Sequence, residues 1–448
     1  MSPALLWFRQ DLRLHDLPAL EAALAAGRPI IPVYIHDDAF APGGASRWWL
    51  HHSLQSLSAS LHKLGSRLVI RHGTWAEELK TLRSETGAED IFASRMHEPK
   101  ARRAERAIPD LRLLGGSSLF NPDLIKSQTG TIFGVYTPFA RACLAQPEPH
   151  KPTPAPNHIP APPTWPESLT SEQLGLLPRT PNWAAGWEDI WQPGEAGAAH
   201  ALNHFKQGAI EDYSTDRDRP DRAGTSRLSP HLHFGEISPA ALWHATTSSE
   251  TYRRELLWRE FAFYLLWHRP ELPDRCLRPE FEKLPWREDP KGLRAWQRGQ
   301  TGIPIVDAGM RELWQTGYMH NRVRMVVGSF LTKHLLIPWQ EGAEWFLDTL
   351  IDADLAANST NWQWVSGCGV ESQPFFRIFN PTLQGEKFDP DGAYVRRYVP
   401  ELAKIPPKFI HSPWLLSDLE RAAIDYPPLL IDLPAGRARA LAAFEALK

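Results

Sequence analysis

Nine of the twenty residues from 147 to 166 are prolines, and this stretch divides the chain. Proline fixes the backbone angle φ and lacks an amide donor, so a run this dense cannot continue a helix or a sheet. We therefore expect an extended connector here, with a folded domain on either side. The chain has 448 residues, which is long enough for two or three domains.

Before the connector, strand-like and helix-like patterns alternate. Four short apolar runs predict strands, at residues 4–8, 29–36, 67–71 and 90–93. Segments with apolar residues at helical spacing predict the helices between them, at residues 16–26, 47–65 and 75–86. Such alternation is typical of a parallel sheet with helices on both faces, so we predict an α/β, Rossmann-like domain over residues 1–130.

After the connector, which we place at residues 131–195, strand-like alternation nearly disappears. Long helical patterns follow, at residues 198–209, 251–268, 307–315, 319–336 and 342–357. We therefore predict an all-α C-terminal domain over residues 196–448. Eleven of the 19 tryptophans lie in this half, between Trp243 and Trp414.

Composition excludes several classes of protein. A net charge of -3 excludes a strongly basic chain that coats nucleic acid, although residues 251–330 carry 14 Lys and Arg against 10 Asp and Glu. The three cysteines show no metal-ligand spacing and no disulfide set, so we expect no metal and a cytoplasmic protein. Neither a signal peptide nor an uncharged run of the ~18 residues that span a membrane is recognisable, and no membrane partner is expected.

Polar and aromatic residues cluster at helical spacing in the C-terminal half. Glu255, Trp258 and Arg259 are placed to share one helix face. The same spacing recurs at Asn321, Arg324 and Met325. Residues 225–229 supply hydroxyls and a cation suited to phosphate oxygens, although Thr225 or Ser229 could instead cap a helix. A solvated surface pair is the ordinary alternative for one cluster, and several together favour a binding site.

Long, ordered motifs run through nearly the whole chain, at residues 7–16, 225–229, 258–261, 319–322, 352–364 and 376–389. In these motifs the chain resembles the photolyase/cryptochrome family, and most closely the bacterial photolyases that repair cyclobutane pyrimidine dimers. The resemblance implies an N-terminal α/β domain, a connector and a helical domain that binds FAD. That organisation agrees with the division read from the sequence patterns.

The resemblance also implies a reaction, that of a deoxyribodipyrimidine photo-lyase. In such enzymes reduced FAD absorbs blue or near-ultraviolet light and transfers an electron to a flipped-out dimer, which splits into monomers. Ultraviolet-damaged DNA is then the expected partner, and a monomer is the expected oligomeric state. The alternatives are a photolyase for (6-4) photoproducts, a dual-specificity photolyase and a blue-light-sensing cryptochrome.

The same resemblance names the residues that would contact FAD. They are Tyr213, Thr225, Ser226, Arg227, Leu228, Ser229, Arg259, Asn321, Arg324, Asp352, Asp354 and Asn358. It further implies an ion pair between Arg324 and Asp352 near the flavin, and a position for Asn358 facing flavin N5. An amide suits that position because it can accept from a protonated N5 or donate to a deprotonated one.

A second set of residues is expected to act on DNA. By resemblance, Glu255 hydrogen-bonds the dimer bases as a proton donor. The apolar wall that receives the flipped dimer would consist of Trp258, Met325 and Trp364. Arg322 and Arg377 are candidates for a rim that binds DNA phosphates.

Three tryptophans match the family's electron-transfer chain, namely Trp286, Trp339 and Trp362. Trp suits this role because its ring gives up an electron more readily than other apolar side chains. The ordinary alternative is three core aromatics, the common fate of buried Trp.

Some positions depart from the family pattern. Tyr252 and Tyr318 stand where the best-known dimer-repair members have Trp. Residues 42–44 and 97–100 replace the His and the Asn-Glu pair of folate-binding members. The antenna chromophore therefore stays open: methenyltetrahydrofolate, a deazaflavin, a flavin or none.

Overall fold

A computed structural model describes residues 1–127, 129–372 and 374–447, and the chain divides into two compact units. The first comprises Met1–Glu211, Ser226–Pro270 and Ile351–Asp354. The second comprises Asp212–Thr225, Glu271–Leu350 and the chain from Leu355 onward. Each unit is thus assembled from segments that are distant in sequence. The predicted domain limits at residues 130 and 195 stay predictions.

The first unit contains a five-stranded sheet made of β1 (Ala4–Phe8), β2 (Ile30–His36), β3 (Val69–His72), β4 (Ile91–Ser94) and β5 (Leu111–Leu114). The strand order is β3-β2-β1-β4-β5, and all neighbouring strands are parallel. β1 and β2 are buried along their whole length, as continuous apolar runs require in a sheet covered on both faces. The predicted parallel α/β sheet is confirmed, and the half-exposed edge strand β5 is an addition to it.

Helices account for the remaining regular structure apart from short 3-10 and π turns. In chain order they are α1 (Pro18–Ala25), α2 (Gly44–Lys63), α3 (Trp75–Thr86), α4 (Pro99–Glu105), α5 (Tyr136–Leu144), α6 (Glu195–Gln207), α7 (Tyr213–Asp216), α8 (Ser229–His233), α9 (Pro239–Ala245), α10 (Glu250–His268), α11 (Pro290–Gln297), α12 (Pro304–Thr316), α13 (Asn321–Ser329), α14 (Trp339–Thr349), α15 (Leu355–Ser366), α16 (Pro381–Phe388), α17 (Ala393–Tyr398), α18 (Asp418–Ala422) and α19 (Leu433–Glu445). All regular structure described in the second unit is helical, which confirms the predicted all-α character. Across the described residues, every helix is too short or too polar to cross a membrane.

Two of the predicted helices are shorter than expected. The helix predicted over 319–336 is α13 followed by a π turn at Phe330–His334. The helix predicted over 342–357 is interrupted, because α14 ends at Thr349 and Leu350 adopts an extended conformation with ψ 136°. The apolar periodicity runs through both interruptions, so periodicity alone does not reveal them.

One hydrophobic core cluster of the first unit lies on one face of the sheet. Trp7 of β1 and Trp75 at the start of α3 meet edge to face with ring centroids 4.9 Å apart, and Phe40 stacks on Trp75 at 3.8 Å. The sheet residues Leu5, Ile31 and Val33 are fully buried in the same cluster. Each such side chain contributes roughly 1.5–3 kcal/mol to folding, so this cluster anchors the strands whose carboxyl ends carry polar residues.

The packing of the second unit depends on a glycine in α14. The Trp362 ring of α15 lies across this helix, and a Cβ atom added at Gly342 would lie 2.1 Å from Trp362 Cη2. The same ring contacts Phe346 of α14 at 5.0 Å between centroids. Because no real Cβ tolerates such an approach, the position of Trp362 requires glycine at 342.

We therefore expect Gly342→Ala to lower the melting temperature, because the added methyl displaces the Trp362 ring. Overpacking of this kind costs about 1–3 kcal/mol, which outweighs the roughly 1 kcal/mol that Ala gains over Gly in a helix. Thermal unfolding of the purified protein measures the effect. Gly115→Ala is the matched control, since nothing lies within 4 Å of a Cβ at that site. An unchanged or raised melting temperature for Gly342→Ala contradicts the packing described.

Candidate functional site

In the first unit, the predicted phosphate-binding residues form a constrained loop, Ser226–Ser229. Arg227 has φ 53°, in the left-handed region that non-glycine residues rarely adopt. The hydroxyl of Ser226 accepts from the Leu228 amide at 3.3 Å and from the hydroxyl of Tyr252 at 3.1 Å. Leu228, the third residue of this loop, is fully buried. These contacts hold the loop in a conformation that the chain would not adopt freely.

Ser229, the last residue of the loop, hydrogen-bonds a carboxylate that was predicted to contact FAD. Ser229 Oγ donates to Asp352 Oδ2 at 2.6 Å, and Asp352 is buried. Leu228, not Ser229, holds the N-cap position of α8, so the Ser229 hydroxyl satisfies the carboxylate instead of capping a helix. Asp354 follows with its amide bonded to the Asp352 carbonyl at 2.8 Å. The bond between Ser229 and Asp352 thus joins two residues that are 123 positions apart in sequence and that were both predicted to contact FAD.

Arg259 of α10 is engaged with neighbours in the same unit. Its guanidinium donates to the Ser117 carbonyl at 2.9 Å and to Glu260 at 3.3 Å, and it lies 4.3 Å from the ring centroid of Phe263. Burial lowers the pKa of Arg259, whereas the charges of Glu260 and Asp354 raise it. The carboxylates of Glu260 and Asp354 thus act on a half-buried cation, and the predicted FAD contact of Arg259 stays a prediction.

The predicted lesion wall has an aromatic partner that the sequence motifs did not indicate. Trp258 is half-buried on α10, and Tyr136 at the start of α5 stacks on it at 3.8 Å with an interplanar angle of 4°. Glu255, one turn earlier on α10, is also half-buried. No signal in the motifs links Tyr136 to Trp258, because the two are far apart in sequence.

In the second unit, the side-chain amide of Asn358 has a fixed orientation. Its Nδ2 donates to the Ala343 carbonyl of α14 at 3.0 Å. Only the amide nitrogen can donate to a carbonyl, so this bond assigns the nitrogen and the oxygen of Asn358. The oxygen Oδ1 is therefore directed away from Ala343 as an acceptor.

The three predicted electron-transfer tryptophans all belong to the second unit. Trp362 and Trp339 are buried, and Trp286 is half-buried. Trp362 also lies 6.2 Å from Trp296, centroid to centroid. Of the three, Trp286 is the one with partial access to solvent, and the electron-transfer role of all three stays a prediction.

α13 carries two of the second unit's cationic candidates, Arg322 and Arg324. Arg322 donates to Asp218 at 2.7 Å and lies 4.5 Å from the Phe388 ring, so a carboxylate already faces this predicted DNA contact. Arg324 donates from Nε to the Met319 carbonyl at 2.7 Å and lies 5.2 Å from the Tyr318 ring. The Tyr at 318 thus still provides an aromatic surface to this helix.

The remaining predicted residues of the second unit differ in exposure. Asn321 and Arg377 are exposed, and Tyr213 is buried beneath Arg217. The half-buried members are Thr225, Met325 and Trp364. Arg324 and Asp352 belong to different units, and their predicted ion pair stays a prediction.

Comparison with known proteins identifies the family. Residues 4–157 match the family model described as DNA photolyase, and residues 252–446 match the FAD binding domain of DNA photolyase. Deoxyribodipyrimidine photo-lyase of Agrobacterium fabrum is 48% identical, covering 100% of this chain and 98% of that protein. The chain belongs to the photolyase/cryptochrome family. Membership confirms the predicted family, the FAD cofactor and the function class of a photolyase acting on DNA.

Two further relatives place the chain within the photolyase/cryptochrome family. The crystal structure of a bacterial class III photolyase from Agrobacterium tumefaciens is similar with a TM-score of 0.96 at 48% identity, covering 100% of this chain and 98% of that chain. Cryptochrome-1 of Arabidopsis thaliana is 35% identical and covers 97% of this chain but 69% of that protein. The photolyase relatives are thus matched over nearly their full length.

The residues of each unit fit the photolyase cofactor. The Ser226–Ser229 loop offers hydroxyls and a guanidinium suited to a pyrophosphate, and its left-handed residue Arg227 shows that the loop is held in place. Asn358 offers an oriented amide acceptor suited to a flavin ring. The chemistry of these donors matches what FAD requires of a protein.

α13 has an N-cap that responds to acid. His320 Nδ1 accepts from the Arg322 amide at 3.2 Å, which requires a neutral ring. Burial lowers the pKa of His320 to about 4, and Arg324 and Arg322 lower it further while Asp218 opposes them. His320 therefore binds a proton near pH 6.5 in the unfolded chain but only near pH 4 in the folded chain.

Stability should consequently fall as the pH drops from 6.5 toward 4, by up to about 3 kcal/mol from this residue alone. His320→Asn keeps a capping side chain but cannot titrate. As the pH falls over this range, we expect the free energy of unfolding to decrease more for the wild type than for His320→Asn. Urea unfolding at pH 7, 6 and 5 measures it. Parallel pH profiles for the two proteins contradict the assignment.

Proposed function

We propose that this photolyase repairs cyclobutane pyrimidine dimers in DNA under light. The observation that carries the proposal is the 48% identity over the whole chain to a deoxyribodipyrimidine photo-lyase. FAD, when bound and reduced, absorbs blue or near-ultraviolet light, supplies the electron that splits the dimer and receives it back. We also propose a monomer located in the cytoplasm, where the three free cysteines stay reduced.

The chain's own residues have distinct tasks in this proposal. The Ser226–Ser229 loop binds the cofactor's phosphates, and the Asp352 carboxylate is held by Ser229 for a cofactor N–H or hydroxyl. Asn358 uses one Nδ2 hydrogen for the Ala343 carbonyl and keeps Oδ1 as an acceptor and a second hydrogen as a donor. The amide can therefore accept from a protonated N5 or donate to a deprotonated one.

The residues proposed to contact DNA also have separate roles. Glu255 donates a proton to the hydrogen bond with the dimer bases, where negative charge develops. Trp258, Met325 and Trp364 exclude water from the flipped dimer. Trp258 brings a ring already stacked on Tyr136, so its orientation is fixed before DNA binds. Arg377 is the exposed candidate for phosphate, whereas Arg322 must share its charge with Asp218.

Defined oligonucleotides test the activity directly. One carries a single cyclobutane dimer and another a single (6-4) photoproduct, and each is incubated with purified protein in light and in darkness. Chromatography of the products should show restored thymines from the dimer only in light. Equal restoration in darkness, or restoration of the (6-4) substrate alone, contradicts the proposal. Absence of repair from both substrates in light, with FAD bound and reduced, favours the cryptochrome alternative.

Trp362→Phe should slow light-driven reduction of bound oxidised FAD on the order of tenfold or more, because Phe is much harder to oxidise than Trp. The substitution keeps an aromatic ring against Phe346, and repair by chemically reduced protein should persist. Absorbance during illumination with an external reductant measures the rate. Trp314→Phe changes an exposed tryptophan and serves as control. An unchanged photoreduction rate in Trp362→Phe refutes its electron-transfer role.

Glu255→Ala should lower the yield of repaired dimer about tenfold, the effect of losing one hydrogen bond worth roughly 1.4 kcal/mol. The FAD content, read from the absorption spectrum, should stay at the wild-type level. Glu250→Ala is the control, since Glu250 lies on the same helix but pairs with Arg254 in solvent. Loss of FAD from Glu255→Ala shows that the residue belongs to the cofactor site instead.

A further inference from the structure

Two histidines meet at the carboxyl ends of adjacent strands in the first unit. β2 ends at His36 and β3 ends at His72, and the two residues are direct partners in the parallel register. Side chains of such partners project to the same side of a sheet. The imidazole rings accordingly lie 5.3 Å apart, centroid to centroid.

A carboxylate completes the cluster. Asp38 begins the 3-10 turn that follows β2, and its Oδ1 lies 3.2 Å from His72 Nε2 and 3.7 Å from His36 Nε2. One possible ligand atom from each of the three residues lies within 4.8 Å of the other two. A nitrogen, a nitrogen and an oxygen therefore converge on one point.

The backbone around Asp38 is held in place by its neighbour. The carboxylate of Asp37 accepts from the Ala39 amide at 2.9 Å and from the Trp75 amide at 3.1 Å. The Gly73 amide, next to His72, donates to the His36 carbonyl at 3.0 Å. These bonds tie the ends of both strands and the turn together, so the three side chains start from a rigid frame.

The spacing matches the ligand set of a tetrahedral metal. Zinc binds imidazole nitrogen and carboxylate oxygen at about 2.0–2.2 Å, which places neighbouring ligand atoms about 3.4 Å apart. The two separations between the Asp38 oxygen and the histidine nitrogens, 3.2 and 3.7 Å, bracket that value, and the ligand nitrogens of the two histidines lie within 4.8 Å of each other. We propose that His36, Asp38 and His72 form a binding site for a divalent transition-metal ion of the Zn²⁺ class, with a fourth position open to solvent or to a ligand.

The burial and exposure of the cluster support this site. His36 is buried, so its ring is shielded from competing water. His72 and Asp38 are exposed, which gives an ion access from solvent. The site lies at the carboxyl end of a parallel sheet, where α/β folds generally place ligands.

Sequence spacing could not indicate this site. His36 and His72 are 36 positions apart, and only the pairing of β2 with β3 brings them together. The experiment must distinguish this metal site from a hydrogen-bonded surface cluster that binds no metal. The metal site is independent of the repair activity proposed above, so either can fail without the other.

Calorimetric titration with Zn²⁺ tests the site on purified holoprotein dialysed against chelator. The wild type should bind one equivalent, and His72→Gln and Asp38→Asn should each weaken that binding at least about tenfold by removing a ligand. His62→Gln, at the end of α2, is the matched control and should bind as the wild type does. His36 is left unchanged because it is buried.

Equal binding by His72→Gln, Asp38→Asn, His62→Gln and the wild type overturns the proposal, as does no binding by the wild type. X-ray absorption at the zinc edge of the one-to-one complex supplies an independent readout. It should show nitrogen and oxygen ligands at about 2.0–2.2 Å with imidazole scattering. A shell of sulfur or of water oxygens alone places the ion elsewhere and overturns the assignment.

Discussion

The hydrogen bond from Ser229 to Asp352 is the interaction on which the candidate site depends. It joins Asp352 to the Ser226–Ser229 loop within the first unit, although the helices before and after Ile351–Asp354 in sequence belong to the second. The chain must leave the helix after Thr349 and resume it at Leu355 for this to happen. A short bond to a buried carboxylate stabilises the interruption, since an unpaired buried carboxylate would be strongly unfavourable.

The interruption also determines where α15 begins and hence which residues it presents. Asn358 lies in the first turn of this helix, and its amide is oriented by the Ala343 carbonyl of α14. Trp362 lies one turn later and fits against α14 only because residue 342 is glycine. One helix thus carries both the proposed partner of flavin N5 and the proposed first electron donor, with both side chains fixed by packing within the second unit.

Much of the fold was predictable because its signals are local. The buried strands β1 and β2 are continuous apolar runs, and α10 covers the helical pattern at residues 251–268. The edge strand β5 was missed because its half-exposed residues lack a clear pattern. The interruption at Leu350 was missed because periodicity alone does not reveal it, and the bond between Ser229 and Asp352 just after it joins residues that are distant in sequence.

The candidate site was predictable mainly through family resemblance, and its local contacts were not. Motifs indicated Ser229 and Asp352 separately, and the structure supplies the bond between them. The stacking of Tyr136 on Trp258 and the cluster of His36, Asp38 and His72 each depend on the fold rather than on spacing. The engagement of Arg322 with Asp218 reduces the positive charge that sequence alone would assign to DNA binding.

The action spectrum of dimer repair tests the central claim most directly. Repair rate per incident photon is measured across near-ultraviolet and blue wavelengths with reduced holoprotein and a dimer-containing oligonucleotide. The spectrum should follow the absorption of the reduced flavin, together with that of any antenna chromophore present in the sample. Repair that does not depend on wavelength, or that persists in darkness, would contradict it.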